Sequence, residues 1–293
     1  MDSVACSVVI VNFNGGKLMT ECVDSVLKSN VPVQVLVSDN NSSDGSIDYL
    51  NSRIQDARLH VKMNDSNLGF SKGVNMVVPL AKGEYILFLN PDCVVQPDII
   101  KEMVCKIEKR PDVGMAGCLI LNLDGSEQAG CRRRVPTPWR TMVRVLHLPV
   151  VFPKHHRFQD IALSKEVLPD TEIEVEAISG AFMLVRREAL EDVGLLDEHY
   201  FLHCEDLDWC MRFRKRGWKI LFVPDVEISH AQGECSQSRP VRVEWHKHKG
   251  MVRFYRKFFR HQYPLPLMLL VILTVWIRFT VIAVRHSFRW VFL

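Results

Sequence analysis

Apolar runs alternate with amphipathic segments over about the first 110 residues, and this alternation restricts the folds that the chain can adopt. The runs CSVVIVN (6–12), PVQVLVS (32–38) and EYILFLN (84–90) are rich in β-branched and aliphatic residues, which is typical of strands buried on both faces. Between them, segments such as GGKLMTECVDSVLKS space apolar residues as amphipathic helices do. The alternation predicts an α/β fold with a mostly parallel sheet and helices on both faces.

The later part of the chain is less regular, but several of its elements are predictable. RLHVKM and GWKILFVP predict further strands, and AISGAFMLVRREALEDVG predicts a strand that leads into a helix. Helices are expected over about 71–81, in PDIIKEMVCKIEKR and from about residue 205. The stretch 124–176 contains prolines and uneven periodicity, which predict long loops with short helices.

Three predicted strands end in polar residues, in VNFNGG, SDNNSSDG and LNPD. Open parallel sheets bind ligands beyond the carboxyl ends of their strands, so a ligand site is expected at this edge. In LNPDCVV, Asp92 follows a buried strand, where one carboxylate suits Mg²⁺ or Mn²⁺ when phosphates and water complete the shell. Taken alone, the same letters also fit an ordinary turn.

Composition narrows the class of protein. With 24% charged and 47% hydrophobic residues, the 293-residue chain is globular rather than disordered. Its nine cysteines include no CxxC pair and several lie in apolar runs, so we expect buried free thiols in a reducing cytosol. The N-terminus lacks a basic segment before the first strand, and no signal peptide is expected.

The C-terminal segment is both basic and apolar. Residues 241–293 hold ten Lys or Arg and a single acid, Glu244, for a net charge of +9, whereas the remainder carries −6. Residues 265–284 form an apolar run long enough to span a bilayer. Polar side chains on one helical face suit instead a helix lying in the membrane interface, and a buried core or oligomer helix is the alternative. These polar side chains are Thr274, Arg278, Arg285 and Arg289.

A tight acidic cluster lies in FLHCEDLDWCMRFRKRGW (201–218), where a helix is predicted to begin. Acids in a first helical turn, followed by basic residues, offset the helix dipole, so a purely structural role is one interpretation. A carboxylate in an apolar setting also suits general base catalysis. Motifs elsewhere in the chain decide between the structural role and the catalytic role of this cluster.

Taken in order, the motifs resemble family 2 of the glycosyltransferases. They are VVIVNFNGG, SDNNSSDGS, NLGFSKGVN, LNPDC, SGAFMLVRREAL, VGLLDEHYFLHCEDLDWCMRFRKRGW and EISHAQGECS, and they cover about residues 6–260. The likeness is to inverting enzymes of the GT-A fold, with a Rossmann-like sheet, and within them to the rhamnosyltransferase-like subgroup. It implies a catalytic domain over 1–245 and a membrane-associating segment over 246–293.

The resemblance implies a role for each motif. The nucleotide-sugar donor would be bound by Val11, Asn12, Asp39, Asn67, Asn75 and Asn90. A divalent cation, Mg²⁺ or Mn²⁺, would be held by Asp92 and His230. The family's DxD motif has an acid where this chain has Asn90, so Asp92 is left as the main carboxylate ligand and strict metal dependence is put in doubt.

The same resemblance assigns the acidic cluster. Asp206 would be the catalytic base that takes the proton of the attacking sugar hydroxyl, and Glu205 would orient the acceptor. Burial should raise the pKa of Asp206, while a helix N-terminus should lower it. Asp208 is the weakest candidate and is expected to cap or solvate the helix.

Two basic groups fit more than one role. The arginines of the middle region either hold an acceptor phosphate or form a solvated surface. They are Arg132, Arg133, Arg134 and Arg140. His246 and His248 have no partner pattern for a metal, and a surface or acceptor-contact role is favoured.

These expectations describe an enzyme at the cytoplasmic face of the cell membrane. It would move L-rhamnose from dTDP-L-rhamnose to a lipid-linked saccharide, or use a UDP- or GDP-hexose donor for the same chemistry. A nucleotidyltransferase should show a GxGTR-type loop after its first strand, which VNFNGG lacks. An inactive nucleotide-sugar-binding scaffold is the remaining class, and the retained Asp39, Asp92 and Asp206 argue against it.

Overall fold

The computed structural model describes residues 4–152, 155–158, 160–230 and 240–291. Its strands are β1 (Cys6–Asn12), β2 (Val33–Asp39), β3 (Leu59–Met63), β4 (Tyr85–Leu89), β5 (Cys93–Val94), β6 (Val113–Leu121), β7 (Arg132–Arg133), β8 (Ile173–Glu174), β9 (Ala177–Ile178), β10 (Phe182–Arg186) and β11 (Lys219–His230). The central sheet has the order β3-β2-β1-β4-β10-β6-β11-β5, with β8 paired to β11, and β7 pairs with β9. The strands β1 to β4 are parallel, and β10 is inserted antiparallel between β4 and β6.

The helices follow the predicted alternation in the first half of the chain. They are α1 (Gly16–Leu27), α2 (Ser46–Arg53), α3 (Phe70–Val77), α4 (Ile99–Glu108), α5 (Pro138–Val145), α6 (Leu148–Val151), α7 (Arg187–Val193), α8 (Glu205–Lys215), α9 (Pro240–Phe259) and α10 (Leu265–Val291). The helix predicted over 71–81 ends earlier than expected. A 3-10 turn, Val78–Leu80, follows it and contains Pro79, which cannot continue an α-helix.

The strand register brings the polar strand ends together. Residues of β1 pair in parallel with those of β2, so that Asn12 lies beside Asp39. β4 lies on the other side of β1 and ends just before Asn90. All residues of β1, β2 and β4 are buried, as the apolar runs predicted. The expected polar edge therefore exists.

Strand β6 was not predicted, although its apolar residues are plain in the sequence. Gly114 and Gly117 interrupt it, and glycine weakens a strand pattern. Both glycines are needed for packing. A Cβ on Gly117 would lie 3.0 Å from the side chain of Ile178, and one on Gly114 would lie 2.9 Å from Ala189. The glycines therefore mark close contacts of a central strand, which no local pattern reveals.

The C-terminal segment is packed onto the rest of the protein. The boundary expected at 245/246 falls inside helix α9, which is continuous from Pro240 to Phe259. Phe254 and Tyr255 of α9 are 1% exposed and belong to the main hydrophobic core. The two predicted units thus share one core along α9.

Helix α8 is joined to α9 through a buried carboxylate. Asp208 is fully buried and accepts from Arg212 Nε at 2.9 Å, while Lys257 Nζ lies 2.6 Å from its other oxygen. Asp208 was expected to cap or solvate the helix. That prediction is wrong, because the side chain points into the protein and two cations neutralise it.

We expect Asp208→Asn to lower the free energy of unfolding by about 3 kcal/mol, because Arg212 loses its buried counter-charge. Urea unfolding of the two proteins measures the difference. Asp24→Asn is the matched control, since its pair with Lys28 is exposed and should contribute less than about 1 kcal/mol. Equal effects of the two substitutions would contradict the structural role of Asp208.

Candidate active site

A cavity of about 610 Å³ opens at the carboxyl ends of the strands. Residues far apart in the sequence form its wall. The predicted site residues that line it are Val11, Asn67, Asn90, Asp92, Glu205, Asp206 and His230. The fold therefore brings the strand ends and the acidic cluster of α8 to one place.

Asn12 and Asp39 form a buried pair beneath this cavity. Asn12 Nδ2 donates to Asp39 Oδ1 at 2.7 Å, and both side chains are fully buried. The backbone N–H and the hydroxyl of Ser42 donate to the same carboxylate at 2.9 and 2.6 Å. These donors satisfy a buried charge. Val11 and Asn40, next to the pair in sequence, line the cavity itself.

Asn67 and Asn75 come from one motif but lie in different places. Asn67 lines the cavity, and its Oδ1 accepts from the backbone N–H of Gly69 at 2.9 Å. Gly69 has a φ of +80°, and a Cβ there would lie 2.4 Å from the backbone oxygen of Phe201, so glycine is required. Asn75 instead donates to the backbone oxygen of Leu196 at 2.9 Å and is not among the described residues that line the cavity.

Asp92 and His230 form a corner that suits a divalent cation. Asp92 Oδ1 and His230 Nε2 are 3.0 Å apart, and both side chains are less than a tenth exposed. Cys93 lies within the same group, whose potential ligand atoms are all within 4.8 Å of one another. Burial raises the pKa of the Cys93 thiol well above its usual value, and a thiolate is a soft ligand, whereas Mg²⁺ and Mn²⁺ prefer oxygen and nitrogen donors. The carboxylate and the imidazole are the donors that remain.

Gln128 orients the imidazole of His230, and the sequence motifs gave no sign of it. His230 Nδ1 lies 2.7 Å from Gln128 Oε1. The amide group of Gln128 donates in turn to Asn122 Oδ1 at 3.2 Å, which fixes which end of the amide faces the histidine. The network thereby places a proton on Nδ1, while Nε2 faces Asp92 Oδ1. An imidazole protonated on Nδ1 binds a metal through Nε2.

The acidic cluster is presented by a strained turn. His203 and Cys204, which precede helix α8, have φ values of 67° and 70°, unusual for residues other than glycine. Gly250 of α9 lies against this turn, where a Cβ would be 2.9 Å from the His203 backbone oxygen. Such strain persists when surrounding packing holds it, and it is common at functional sites.

Comparison with known proteins decides the family. Residues 5–242 match the model of the glycosyltransferase like family 2. The chain belongs to this family. The resemblance inferred from the motifs is therefore confirmed, and the protein is a nucleotide-sugar-dependent glycosyltransferase.

Relatives of this glycosyltransferase include two rhamnosyltransferases. The N-acetylglucosaminyl-diphospho-decaprenol L-rhamnosyltransferase of Mycobacterium tuberculosis is 29% identical over 84% of this chain and 82% of its own length. The dTDP-rhamnosyl transferase RfbF of Shigella flexneri is 24% identical over 68% of this chain and 60% of its own. The chain is thus rhamnosyltransferase-like, as its motifs suggested.

The fold of the glycosyltransferase also matches a solved structure. The mannosyltransferase PcManGT from Pyrobaculum calidifontis, in complex with GDP-Man and Mn²⁺, superposes with a TM-score of 0.59 at 18% identity. The match covers 91% of this chain and 67% of that one. The predicted GT-A fold is confirmed.

In the cavity of the glycosyltransferase, Arg133 lies beside Asp206, the predicted base. Its guanidinium pairs with Asp206 and is the one lysine or arginine group among the described residues that line the cavity. Its Nε is buried without a hydrogen-bond partner. Asp206 also accepts from the backbone N–H of Leu207 at 2.7 Å.

The other arginines of the middle region do not lie free on the surface. Each of the remaining three is paired with a glutamate: Arg132 with Glu127, Arg134 with Glu166 and Arg140 with Glu176. The prediction of a solvated basic surface is therefore wrong for Arg132, whose side chain is 3% exposed. These pairs order the segment that carries Arg133 to the cavity.

The two histidines of α9 differ from each other. His246 stacks on Phe201 with ring centroids 4.2 Å apart, beside the cavity wall. His248 is fully buried, and its Nδ1 lies 2.7 Å from the backbone oxygen of Glu244. A surface or acceptor-contact role is thus wrong for His248, because the helix turns that ring inward.

Glu205 is a buried acid with an unusual proton affinity. Burial, together with the neighbouring charge of Asp206, raises the pKa of Glu205 to about 8. Its Oε2 is buried without a hydrogen-bond partner. Glu205 is therefore protonated at neutral pH and offers an O–H donor next to the catalytic candidate.

This proton affinity predicts a pH-dependent stability. In the unfolded chain this glutamate ionises near pH 4.5, whereas the folded protein keeps it protonated up to about pH 8, so the stability of the fold falls as the pH rises between these values. Glu205→Gln should therefore be more stable than the wild type at pH 8, with the advantage shrinking towards pH 5. Urea unfolding at both pH values measures this. An advantage that stays constant with pH would exclude the raised pKa.

Proposed function

We propose that this glycosyltransferase moves L-rhamnose from dTDP-L-rhamnose to a lipid-linked saccharide, with inversion at the anomeric carbon, in cell-surface polysaccharide synthesis. One observation carries the proposal: the Asp92–His230 corner and the Asp206 carboxylate face the same cavity. An inverting transfer needs both, a cation for the leaving diphosphate and a base for the attacking hydroxyl. The names of the relatives supply the sugar and the kind of acceptor.

The donor's nucleotide would lie against the strand ends of β1 and β2. Val11 and Asn67 line that part of the cavity, and the buried Asn12–Asp39 pair supports it from below. Asn90 stands between this wall and the cation corner, 3.3 Å from His230. Asn75 remains a predicted donor residue, and its contact with Leu196 suggests that it acts by positioning the segment around α3.

Asp92 and His230 would hold Mg²⁺ or Mn²⁺ at the donor diphosphate. The chemistry of the donors fits, because a carboxylate oxygen and a neutral imidazole nitrogen are normal ligands of Mn²⁺ and leave positions open for phosphate and water. A bound ion neutralises charge on the departing diphosphate. Gln128 keeps His230 in the tautomer that this requires.

Asp206 would act as the general base. The acceptor hydroxyl attacks the anomeric carbon opposite the departing nucleotide diphosphate, a C–O bond forms, and the hydroxyl proton passes to Asp206. Glu205, protonated at neutral pH, would donate a hydrogen bond that orients the acceptor. Arg133 holds Asp206 until the acceptor arrives.

The acceptor of the M. tuberculosis relative, as its name states, is an N-acetylglucosaminyl-diphospho-decaprenol. A lipid-linked acceptor fits a chain whose C-terminal helix is long and apolar enough to cross a membrane. The site of action would be the cytoplasmic face, where nucleotide sugars are available. A UDP- or GDP-hexose donor is the second candidate, and the GDP-Man complex of the mannosyltransferase neighbour is the observation in its favour.

A transfer assay tests this proposal. The purified protein is given dTDP-[¹⁴C]rhamnose, Mn²⁺ and N-acetylglucosaminyl-diphospho-polyprenol, and the label extracted into the lipid phase is counted. The expected result is label in a lipid product that depends on all three additions. Label transferred from UDP- or GDP-hexose alone would replace the donor assignment, and no transfer from any donor would support the scaffold interpretation.

A further inference from the structure

The C-terminal helix α10 lies lengthwise against helix α9. Met268 and Val275 on its inner face are at most 4% exposed. Trp276, on the same side, contacts Trp245 of α9 with ring centroids 5.2 Å apart. These contacts hold the first half of α10 along α9, so this half of the helix does not project from the protein.

The outer face of α10 is a continuous apolar stripe. Apart from the adjacent Leu269 and Leu270, its members recur every three or four residues, and they are 46–69% exposed. They are Leu265, Leu269, Leu270, Leu273, Ile277, Val281 and Val284. A contiguous exposed apolar surface of this kind marks an interaction site. Such a stripe is expected to be covered by an apolar partner.

A second apolar surface lies next to this stripe. Helix α5 packs against α10, and Thr141 of α5 is hydrogen-bonded to Tyr255 of α9 at 2.7 Å. The end of α5 and the short helix α6 then expose large apolar side chains by 46–77%. These are Val145, Leu146, Val150, Val151 and Phe152. We call them the α5–α6 patch.

The charge around these surfaces favours an anionic lipid partner. Residues 241–293 carry a net charge of +9. Arg260 lies exposed at the turn before α10, and Arg278 and Arg285 are exposed on α10 itself. An apolar face bordered by cations is the pattern of a helix that binds at the interface of an anionic bilayer.

The packing argues against a helix that crosses the bilayer. A crossing would bring α9 into the hydrocarbon, or would strip Met268 and Val275 of the core that buries them. Helix α9 carries six cations, each of which is costly in hydrocarbon. They are Arg242, Lys247, Lys249, Arg253, Arg256 and Lys257. An in-plane helix avoids both costs.

We propose that the outer stripe of α10 and the α5–α6 patch form one docking surface that seats the protein in the interface of an anionic bilayer without crossing it. Helix α5 contacts both α10 and α6, which places the α5–α6 patch beside the stripe. This proposal rests on the proposed function, and it specifies how the protein is held at the membrane. It is tested without donor or acceptor, so that its failure leaves the donor assignment standing.

Vesicle sedimentation tests the docking surface. Val150→Asp/Val151→Asp should lower binding of the full chain to phosphatidylcholine–phosphatidylglycerol vesicles by at least about tenfold, because charged groups replace buried apolar ones at the interface. Leu123→Asp/Val167→Asp is the matched control, since these side chains are 81% and 93% exposed elsewhere and should leave binding unchanged. Circular dichroism checks that both proteins are folded.

Two outcomes of this experiment would overturn the docking surface. The first is equal binding by the Val150/Val151 variant and the control. The second is a dimer, detected by light scattering without lipid, that the Val150/Val151 variant abolishes while vesicle binding persists. In that case a second copy of the chain covers the patch.

Protease access tests the orientation of α10. An epitope tag is placed after Leu293 and the protein is bound to the outside of sealed vesicles. An in-plane helix leaves the tag on the side of the catalytic domain, so added protease should remove it completely. A tag that is protected until detergent opens the vesicles would show a spanning helix and overturn the proposal.

Discussion

Asp206→Asn is expected to lower the rate of sugar transfer by about a hundredfold to ten-thousandfold while leaving donor affinity unchanged. A positioned general base contributes about 10²–10⁴-fold, and the amide cannot accept the proton of the attacking hydroxyl. Donor binding should survive because the cation corner and the strand ends are untouched. The rate is measured by release of the nucleotide diphosphate, and donor affinity by calorimetry.

The asparagine also removes the ionic partner of Arg133, so a control for folding is needed. The wild type, Asp206→Asn and Asp24→Asn are compared by thermal unfolding before kinetics are interpreted. Asp24 is an exposed acid on α1 and its variant should keep full activity. Near-normal turnover by folded Asp206→Asn would remove this residue from the mechanism.

Asp92→Asn is expected to abolish the metal dependence of donor binding. The substitution keeps the shape of the side chain but removes the one carboxylate of the Asp92–His230 corner, and the affinity for Mn²⁺ should fall by at least about a hundredfold. Binding of Mn²⁺ is measured directly by electron paramagnetic resonance of the free ion. Donor affinity with and without Mn²⁺ is then measured by calorimetry.

Gln128→Ala separates orientation from ligation at the same corner. Loss of the Gln128 side chain frees the imidazole of His230 but removes no metal ligand. Residues that hydrogen-bond to a metal ligand typically contribute about 10–100-fold to metal affinity. The order of Mn²⁺ affinities should be wild type, Gln128→Ala, then Asp92→Asn. Unchanged Mn²⁺ affinity in both variants would show that the ion, if required, binds elsewhere.

The sequence predicted those parts of the fold that depend on neighbours in the chain. The runs that became β1, β2 and β4 are buried on both faces, and burial of that kind leaves a visible apolar pattern. Their polar ends lie at the carboxyl edge of the sheet, so a site there followed from topology alone. Strand β6 was not predicted, because its glycines are needed for close packing against Ile178 and Ala189. Both of these residues lie far from β6 in the sequence.

The partners of the site residues were the harder part to predict. Arg133 meets Asp206 across 73 residues and Gln128 meets His230 across 102, so neither contact leaves a local signal. Asp208 lies in the same motif as Asp206, but its side chain points inward towards Lys257. The two aspartates differ in their surroundings because they lie at different positions around helix α8. The ordered motifs named the candidate reacting groups, whereas the residues that hold these groups in place could be identified only from the three-dimensional fold.

The central claim is that this chain binds a nucleotide sugar through a cation and transfers its sugar. A calorimetric donor screen tests it most directly, with dTDP-rhamnose, UDP-glucose, UDP-galactose and GDP-mannose offered to the purified protein with and without Mn²⁺. We predict that dTDP-rhamnose binds, that the other donors bind at least about tenfold more weakly, and that the binding requires the ion. Absence of binding by all four donors in the presence of Mn²⁺ would contradict the account.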